Sequence, residues 1–139
     1  YNKNDVHGIW FCAEKYNIKA ILQSFIGDNE WVCFQGEVVS PKNQGNKYKV
    51  SEPRLYLFNL IYPSGKVSPG YVPRFDLQWC PIIEKEFTLK DTVEEMLEYA
   101  TAKSKINNDV LREGVVLRNY EKGISFKVVS PDFLLKNDE

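Results

Sequence analysis

The sequence predicts an α+β protein with largely antiparallel sheets and a few helices. Strand-like runs outnumber helical stretches, do not alternate regularly with them, and in one place flank a short glycine-bearing loop suited to a hairpin. With 139 residues, 43% hydrophobic and 14% aromatic, the chain is long and apolar enough for a single domain, 1–139, with its own core.

Residues 1–8 are polar. From Ile9 to Gln23 apolar side chains at Trp10, Ala13, Ile18 and Ile21 recur near helical spacing, predicting a helix that Gly27-Asp28-Asn29 ends. Trp31 to Val39 (WVCFQGEVV) is rich in β-formers and reads as a strand with one anomaly, Glu37 directly after a glycine. Ser40 to Glu52 is a polar loop bearing Lys42, Lys47 and Lys49, either solvated or facing phosphate. Arg54 to Tyr62 (RLYLFNLIY) is the longest apolar-aromatic run, a buried strand closed by Pro63-Ser64-Gly65.

Lys66 to Cys80 holds Pro69, Gly70 and Pro73 and reads as irregular with one short helical turn, followed by a short strand at Pro81-Ile82-Ile83. Asp91 and Glu94 stand as N-cap and N3 of a capping box. Val93, Met96, Leu97 and Ala100 make the apolar face of its helix, which ends near Ser104 to Asn108. Leu111 to Lys136 reads as a β-hairpin in which Val115–Leu117 and Ile124–Val129 flank Asn119-Tyr120-Glu121-Lys122-Gly123.

A formal net charge of -1 advertises no global basic field, so any nucleic-acid binding uses a local patch. Cys12, Cys33 and Cys80 are odd in number and widely spaced, which fits buried thiols of a reducing compartment better than disulfides or a zinc site. No apolar run approaches a membrane span, no signal-peptide pattern opens the chain, and the expected location is cytoplasmic, with no membrane partner. His7 is the lone histidine, with no ligand cluster around it, and suits a surface or capping role.

Four residues bear chemistry. Glu37 is either solvated at an edge or aimed into a ligand cleft. Phe58 packs in the core or presents its face to a base. Glu113, before the first hairpin strand, and Lys127, within the second, are either solvated or partnered by a metal ion or a phosphate, because burying either alone is costly.

In order, Phe34-Gln35-Gly36-Glu37, Phe58-Asn59-Leu60, Glu113-Gly114-Val115-Val116-Leu117-Arg118 and Ser125-Phe126-Lys127 resemble motifs III, IIIa, IV and V of the covalent nucleotidyltransferases, the superfamily of polynucleotide ligases and capping enzymes. FQGEVVSPKNQGNKYK, the AEKYNI segment, KSKINNDVLREGVVLR and SFKVVSPDFLLK are similar to ATP-dependent RNA ligases of the bacterial Deinococcus type, kin to the phage RNA ligase 2 group. The resemblance covers nearly the whole chain and implies a partial, ATP-grasp-like nucleotidyltransferase fold. Its implied cofactors are ATP with Mg²⁺ or Mn²⁺, and its implied partners are RNA ends or a nicked duplex.

The resemblance also implies roles. Glu37 matches the motif III carboxylate that contacts the ribose, and Phe58 the aromatic that stacks on adenine. Glu113 matches the motif IV carboxylate that holds a divalent metal, and Lys127 the motif V lysine that neutralises the α-phosphate. The family often carries a second lysine where this chain has Ser125, and whether Lys136 or Lys122 takes its place is an open question at this point.

Family chemistry starts with a lysine in a Lys-x-Asp-Gly motif that precedes motif III. Lys42-Asn43-Gln44-Gly45 lacks the aspartate and follows Glu37, and Lys3 is followed by Asn4-Asp5-Val6. The expectation is a chain that begins downstream of the nucleophile and cannot self-adenylate, although its parent can. A non-catalytic nucleotide- or RNA-binding module and a DNA ligase fragment are the competing readings. The QGNKYK and REGVVLR phrasing favours RNA ligases over DNA ligases.

Overall fold

The helix expected over Ile9 to Gln23 is two helices. In the computed structural model, which describes residues 7–67 and 77–137, α1 spans Ile9–Lys15 and α2 spans Ile18–Ile26. The break falls at Asn17, in the left-handed conformation at φ 48° and ψ 43°. Asparagine visits that region more readily than most side chains, so apolar periodicity continues across a backbone that does not. Gly27 ends α2 as expected.

The chain divides into two compact units, the first drawing on Tyr1–Asn46 and Val50–Cys80, the second on Lys47–Lys49 and Pro81–Glu139. In the first, β1 (Cys33–Val39) pairs antiparallel with β2 (Arg54–Tyr62), and β2 pairs antiparallel with β3 (Gly65–Val67). A two-residue strand, β4 (Gln78–Trp79), lies parallel to β2 at Tyr56 and Leu57. Leu57 and Leu60 are each only 1% exposed, which bears out β2 as the buried strand. Phe34 packs edge-on against Phe25 at 5.6 Å and Trp79 at 6.4 Å between centroids, tying α2 and β4 to one face of the sheet.

Two expectations for this unit are corrected. Lys66 to Cys80 is not wholly irregular, since β3 and β4 occupy its ends. Such short strands draw their hydrogen bonds from β2 and carry no period of their own; the helical turn expected between them lies outside the described residues. Of the three thiols, Cys12 is buried and Cys80 half-buried, but Cys33 is exposed. Strand alternation puts it on the opposite face from Phe34.

In the second unit α3 (Val93–Ala100) is capped one residue later than expected. Thr92 Oγ1 accepts from the Glu95 N–H at 3.2 Å, and the Glu95 carboxylate accepts from the Thr92 N–H at 3.1 Å. Asp91 and Glu94 have the right spacing, but threonine supplies the hydroxyl of the box. The helix also stops earlier, at Ala100, where Arg112 donates from Nε to the Ala100 carbonyl at 2.9 Å and from its guanidinium to the Tyr99 carbonyl. A cation on the last carbonyls satisfies acceptors that another helical turn would have used. Residues 101–112 instead form a return loop. The Ser104 N–H donates to Val110 and the Arg112 N–H to Ala102, each at 2.9 Å, around a bridge between Lys103 and Leu111.

Pro81-Ile82-Ile83 forms no ladder. Pro81 has no N–H to contribute, and the Ile82 carbonyl accepts from the Lys105 ammonium at 3.5 Å.

The hairpin forms as expected: β5 (Gly114–Asn119) pairs antiparallel with β6 (Ile124–Val129), and Gly123 at φ 64° supplies the left-handed position of the turn. Its last segment is not strand but α4 (Pro131–Asn137). The Ser130 hydroxyl accepts from the Phe133 N–H at 3.2 Å, and Pro131 takes the first helical position, where its missing N–H costs nothing. Ser-Pro-Asp was a legible helix start that the strand pattern before it obscured.

Two glycines set the closeness of these ladders. A Cβ at Gly36 would stand 2.7 Å from the Tyr56 carbonyl oxygen and 2.9 Å from a Leu57 methyl. At Gly114 it would stand 2.1 Å from the Val128 carbonyl oxygen and 2.9 Å from the Val129 Cα.

Two stability predictions follow from these contacts. Gly114→Ala, which collides only with backbone, lowers stability by about 3 kcal/mol, and Gly36→Ala, part of whose collision is with leucine methyls, by less. Urea denaturation followed by far-UV circular dichroism measures both, and equal costs would contradict the ranking. Arg112→Met uncovers the end of α3 and lowers stability by about 1.5–3 kcal/mol in the same assay; an unchanged midpoint would show that the cap contributes nothing.

Candidate functional site

Glu37 and Phe58 lie on neighbouring strands of the first unit. The β1–β2 register runs Gln35↔Asn59 and then Gly36↔Leu57, so β2 carries one extra residue there, and that residue is Phe58. A bulge of this kind bends its strand and re-aims the side chain it inserts. Phe58 is half-buried, neither sealed in the core nor lying on the surface. Glu37 follows the bulge opposite Tyr56 and is exposed, so its carboxylate has no burial to offset. Gly36, directly before Glu37, leaves no room for a Cβ against the Tyr56 carbonyl oxygen.

Beside Phe58 sits a polar pair that the sequence reading missed. Asn59 is 4% exposed and donates from Nδ2 to the Gln35 Oε1 at 2.8 Å, while its own Oδ1 is buried with no hydrogen-bond partner among the described residues. The available signal was an asparagine inside RLYLFNLIY, where an apolar residue would bury at lower cost.

In the second unit Glu113 and Lys127 are brought together. The carboxylate accepts from the ammonium across the hairpin, with side chains 34% and 46% exposed respectively. Each charge is thus the other's partner, and at this exposure the pair is worth about 0–1 kcal/mol. Glu113 also joins the hairpin to α4, its carbonyl accepting from the Ser130 N–H at 2.8 Å. Lys127 faces Val116 in the ladder, and Ser125 faces Arg118 two rungs further toward the turn. That register sets Arg118, Ser125 and Lys127 on one face of the hairpin.

Lys122 lies in the turn, where its N–H donates to Asn119 Oδ1 at 2.9 Å, and Lys136 lies in the last turn of α4; both are exposed. Of the loop lysines, Lys42 and Lys49 are exposed, whereas Lys47 holds its ammonium 5.2 Å from the centroid of the Phe133 ring. His7 is exposed and shares a hydrogen bond with Asn43 Oδ1 at 2.8 Å, the surface role expected of it. No group of three His, Cys, Asp or Glu residues among the described residues is placed to hold a metal ion by itself. A groove of about 600 Å³ runs along α1 and α2, lined by Trp10, Ile18, Leu22, Ile26 and Val32, and none of the four candidates lines it. No helix of the described residues is long and apolar enough to cross a membrane.

No protein-family model matches this sequence, and no curated protein matches it. Its fold is similar to solved structures of a Naegleria gruberi RNA ligase. A variant of that ligase with ATP and Mn superposes with a TM-score of 0.78 at 25% identity, over 94% of this chain and 41% of the ligase. The same ligase with PPi gives 0.78 at 26% identity, over 93% and 40%. An apo variant gives 0.80 at 27% identity, again over 93% and 40%. This chain therefore spans about two fifths of the ligase's length. The mixed architecture of antiparallel sheets and four helices among the described residues is that of an RNA ligase-like nucleotidyltransferase.

Proposed function

We propose that the chain is part of the nucleotidyltransferase domain of an ATP-dependent RNA ligase, with both of its units belonging to that one domain. The observation that carries this reading is the likeness to an RNA ligase solved with ATP and Mn over 94% of the chain. The segments around the motifs, FQGEVVSPKNQGNKYK, AEKYNI, KSKINNDVLREGVVLR and SFKVVSPDFLLK, support the narrower assignment to the bacterial Deinococcus type.

Phe58, re-aimed by the bulge, offers its ring to the adenine, a contact that needs no hydrogen-bond partner. Glu37 accepts from a ribose hydroxyl, a role open to an exposed carboxylate at the end of the bulge. Lys127 neutralises the α-phosphate as charge builds on it. Glu113 would hold a divalent ion with nucleotide oxygens completing its ligands: Mg²⁺ and Mn²⁺ take oxygen ligands, keep several waters, and commonly use one or two carboxylates together with substrate phosphates. One half-exposed carboxylate with no metal-holding cluster around it among the described residues fits that habit and not an all-protein cage. When bound, the ion supplies charge neutralisation of the phosphates. The weak Glu113–Lys127 pair would open at little cost, leaving the ammonium free for phosphate and the carboxylate free to hold the ion.

The RNA partner supplies a 5′-phosphate that receives the adenylate and a 3′-hydroxyl that displaces AMP to seal the strand. The lysine that first takes the adenylate lies in a Lys-x-Asp-Gly motif, which this sequence does not contain. This chain therefore binds ATP without forming the lysyl-adenylate.

Incubated with α-labelled ATP and Mn²⁺ and then denatured, the chain retains no label; a labelled lysine would overturn that assignment. Phe58→Ala weakens ATP binding by about 1–3 kcal/mol in calorimetric titration, the scale of base stacking on an aromatic. A loss of thermal stability with ATP affinity untouched would return Phe58 to the core. In the longer ligase Glu113→Ala abolishes metal-dependent adenylation while far-UV circular dichroism stays unchanged, and normal labelling would remove the metal role. Sealing of nicks whose 3′-hydroxyl strand is RNA, and not of those with DNA there, separates RNA ligase from DNA ligase.

A further inference from the structure

We infer that the Gln35–Asn59 pair reads the base stacked on Phe58 and selects adenine over guanine, with Gln35 as the reading residue and Asn59 as its positioning residue. The inference rests on the proposed nucleotide site and assigns to it a specificity element that the four motif residues do not contain. It starts from a cost. Asn59 is 4% exposed and leaves its Oδ1 buried without a hydrogen-bond partner among the described residues, so a leucine there would pack without that penalty. The polar side chain is therefore held for what its other end does, which is to donate from Nδ2 to Gln35 Oε1 at 2.8 Å.

That bond fixes which way the Gln35 amide points. With Oε1 anchored to Asn59, the Nε2 hydrogens and the second lone pair of Oε1 are the groups Gln35 has for a ligand, and the residue is exposed. Phe58 is the residue the bulge inserts next to Asn59, whose ladder partner is Gln35, so stacking platform and amide are consecutive features of one bulge. A glutamine amide matches the adenine edge at two points, accepting from the N6 amino group and donating to N7. Guanine carries O6 in place of N6, so the fixed Oε1 meets a second acceptor. A glutamine that turned over would offer Nε2 to O6 but set Oε1 against the N7 acceptor, and one held by Asn59 would also give up its bond to Asn59 Nδ2. Stacking alone does not discriminate, because every base has a π face.

The test is direct titration of this chain with ATP and with GTP in Mn²⁺, comparing wild type, Phe58→Ala, Gln35→Leu and Asn59→Leu. Wild type prefers ATP by roughly 10- to 100-fold, the discrimination of one bidentate amide–base pair. Gln35→Leu and Asn59→Leu bring the ATP:GTP ratio toward unity, mainly through lost ATP affinity, whereas Phe58→Ala weakens both nucleotides and keeps the ratio. Gln35 is exposed, so its variant keeps the proposal falsifiable if Asn59→Leu does not fold. If Phe58→Ala weakens both nucleotides while the Gln35 and Asn59 variants keep the wild-type ratio, the pair is structural and this inference falls, with the nucleotide site intact. If wild type binds neither nucleotide, or Phe58→Ala changes neither affinity, the nucleotide site itself falls and the inference with it.

Discussion

The placement of Glu37 in the first unit, and separately of Glu113 in the second, depends on backbones coming closer than any side chain at Gly36 or Gly114 would allow. In each case a candidate carboxylate is the immediate neighbour of the glycine: Glu37 follows Gly36 and Glu113 precedes Gly114. The position of a side chain on a strand is fixed by the strand's own path, so the glycine governs where its neighbour's carboxylate stands. At Gly36 the close approach coincides with the bulge that inserts Phe58, and at Gly114 it sets the first rung of the hairpin, Gly114↔Val129. Hard-sphere contact acts at sub-ångström range and cannot be offset by solvent, which makes it the firmest term in the placement of these residues.

The charges around that framework are held loosely. Glu37 is exposed, and Glu113 and Lys127 pair at the surface, where the attraction is close to the cost of ordering the two side chains. Backbone contact thus supplies position, while the charged groups stay available to change partners. Arg112 is the contrasting case. Its bonds to the Tyr99 and Ala100 carbonyls are partly buried, and they end a helix and turn the chain toward β5. A network of that sort holds shape, whereas a half-exposed ion pair suits exchange with a ligand.

Much of this was legible in sequence. The β2 run and the hairpin with Gly123 in its turn were readable because each is carried by local pattern. The Asn17 break was not, since the apolar spacing of α1 continues into α2 and only a backbone angle separates them. The end of α3 escaped because its cap comes from Arg112, twelve residues beyond the last helical residue. β3 and β4 are too short for a period and exist through hydrogen bonds from β2. For the site, the bulge at Phe58 is a property of two strands in register, which no single run of residues displays. The pairing of Glu113 with Lys127 likewise required the hairpin to close. The Asn59–Gln35 bond joins residues 24 apart in sequence, and its only trace was one polar letter in an apolar run.

The glycines have a genetic consequence as well. All glycine codons begin with the same two bases, so every amino-acid-changing substitution of a single base at either position brings in a residue with a Cβ atom. For Gly114 that atom would overlap the Val128 carbonyl oxygen whichever side chain arrives. Neither position has a neutral amino-acid neighbour one mutation away. Drift can erode the lysines and loops around such a site, but a variant altered at Gly114 must first lose the first rung of its hairpin.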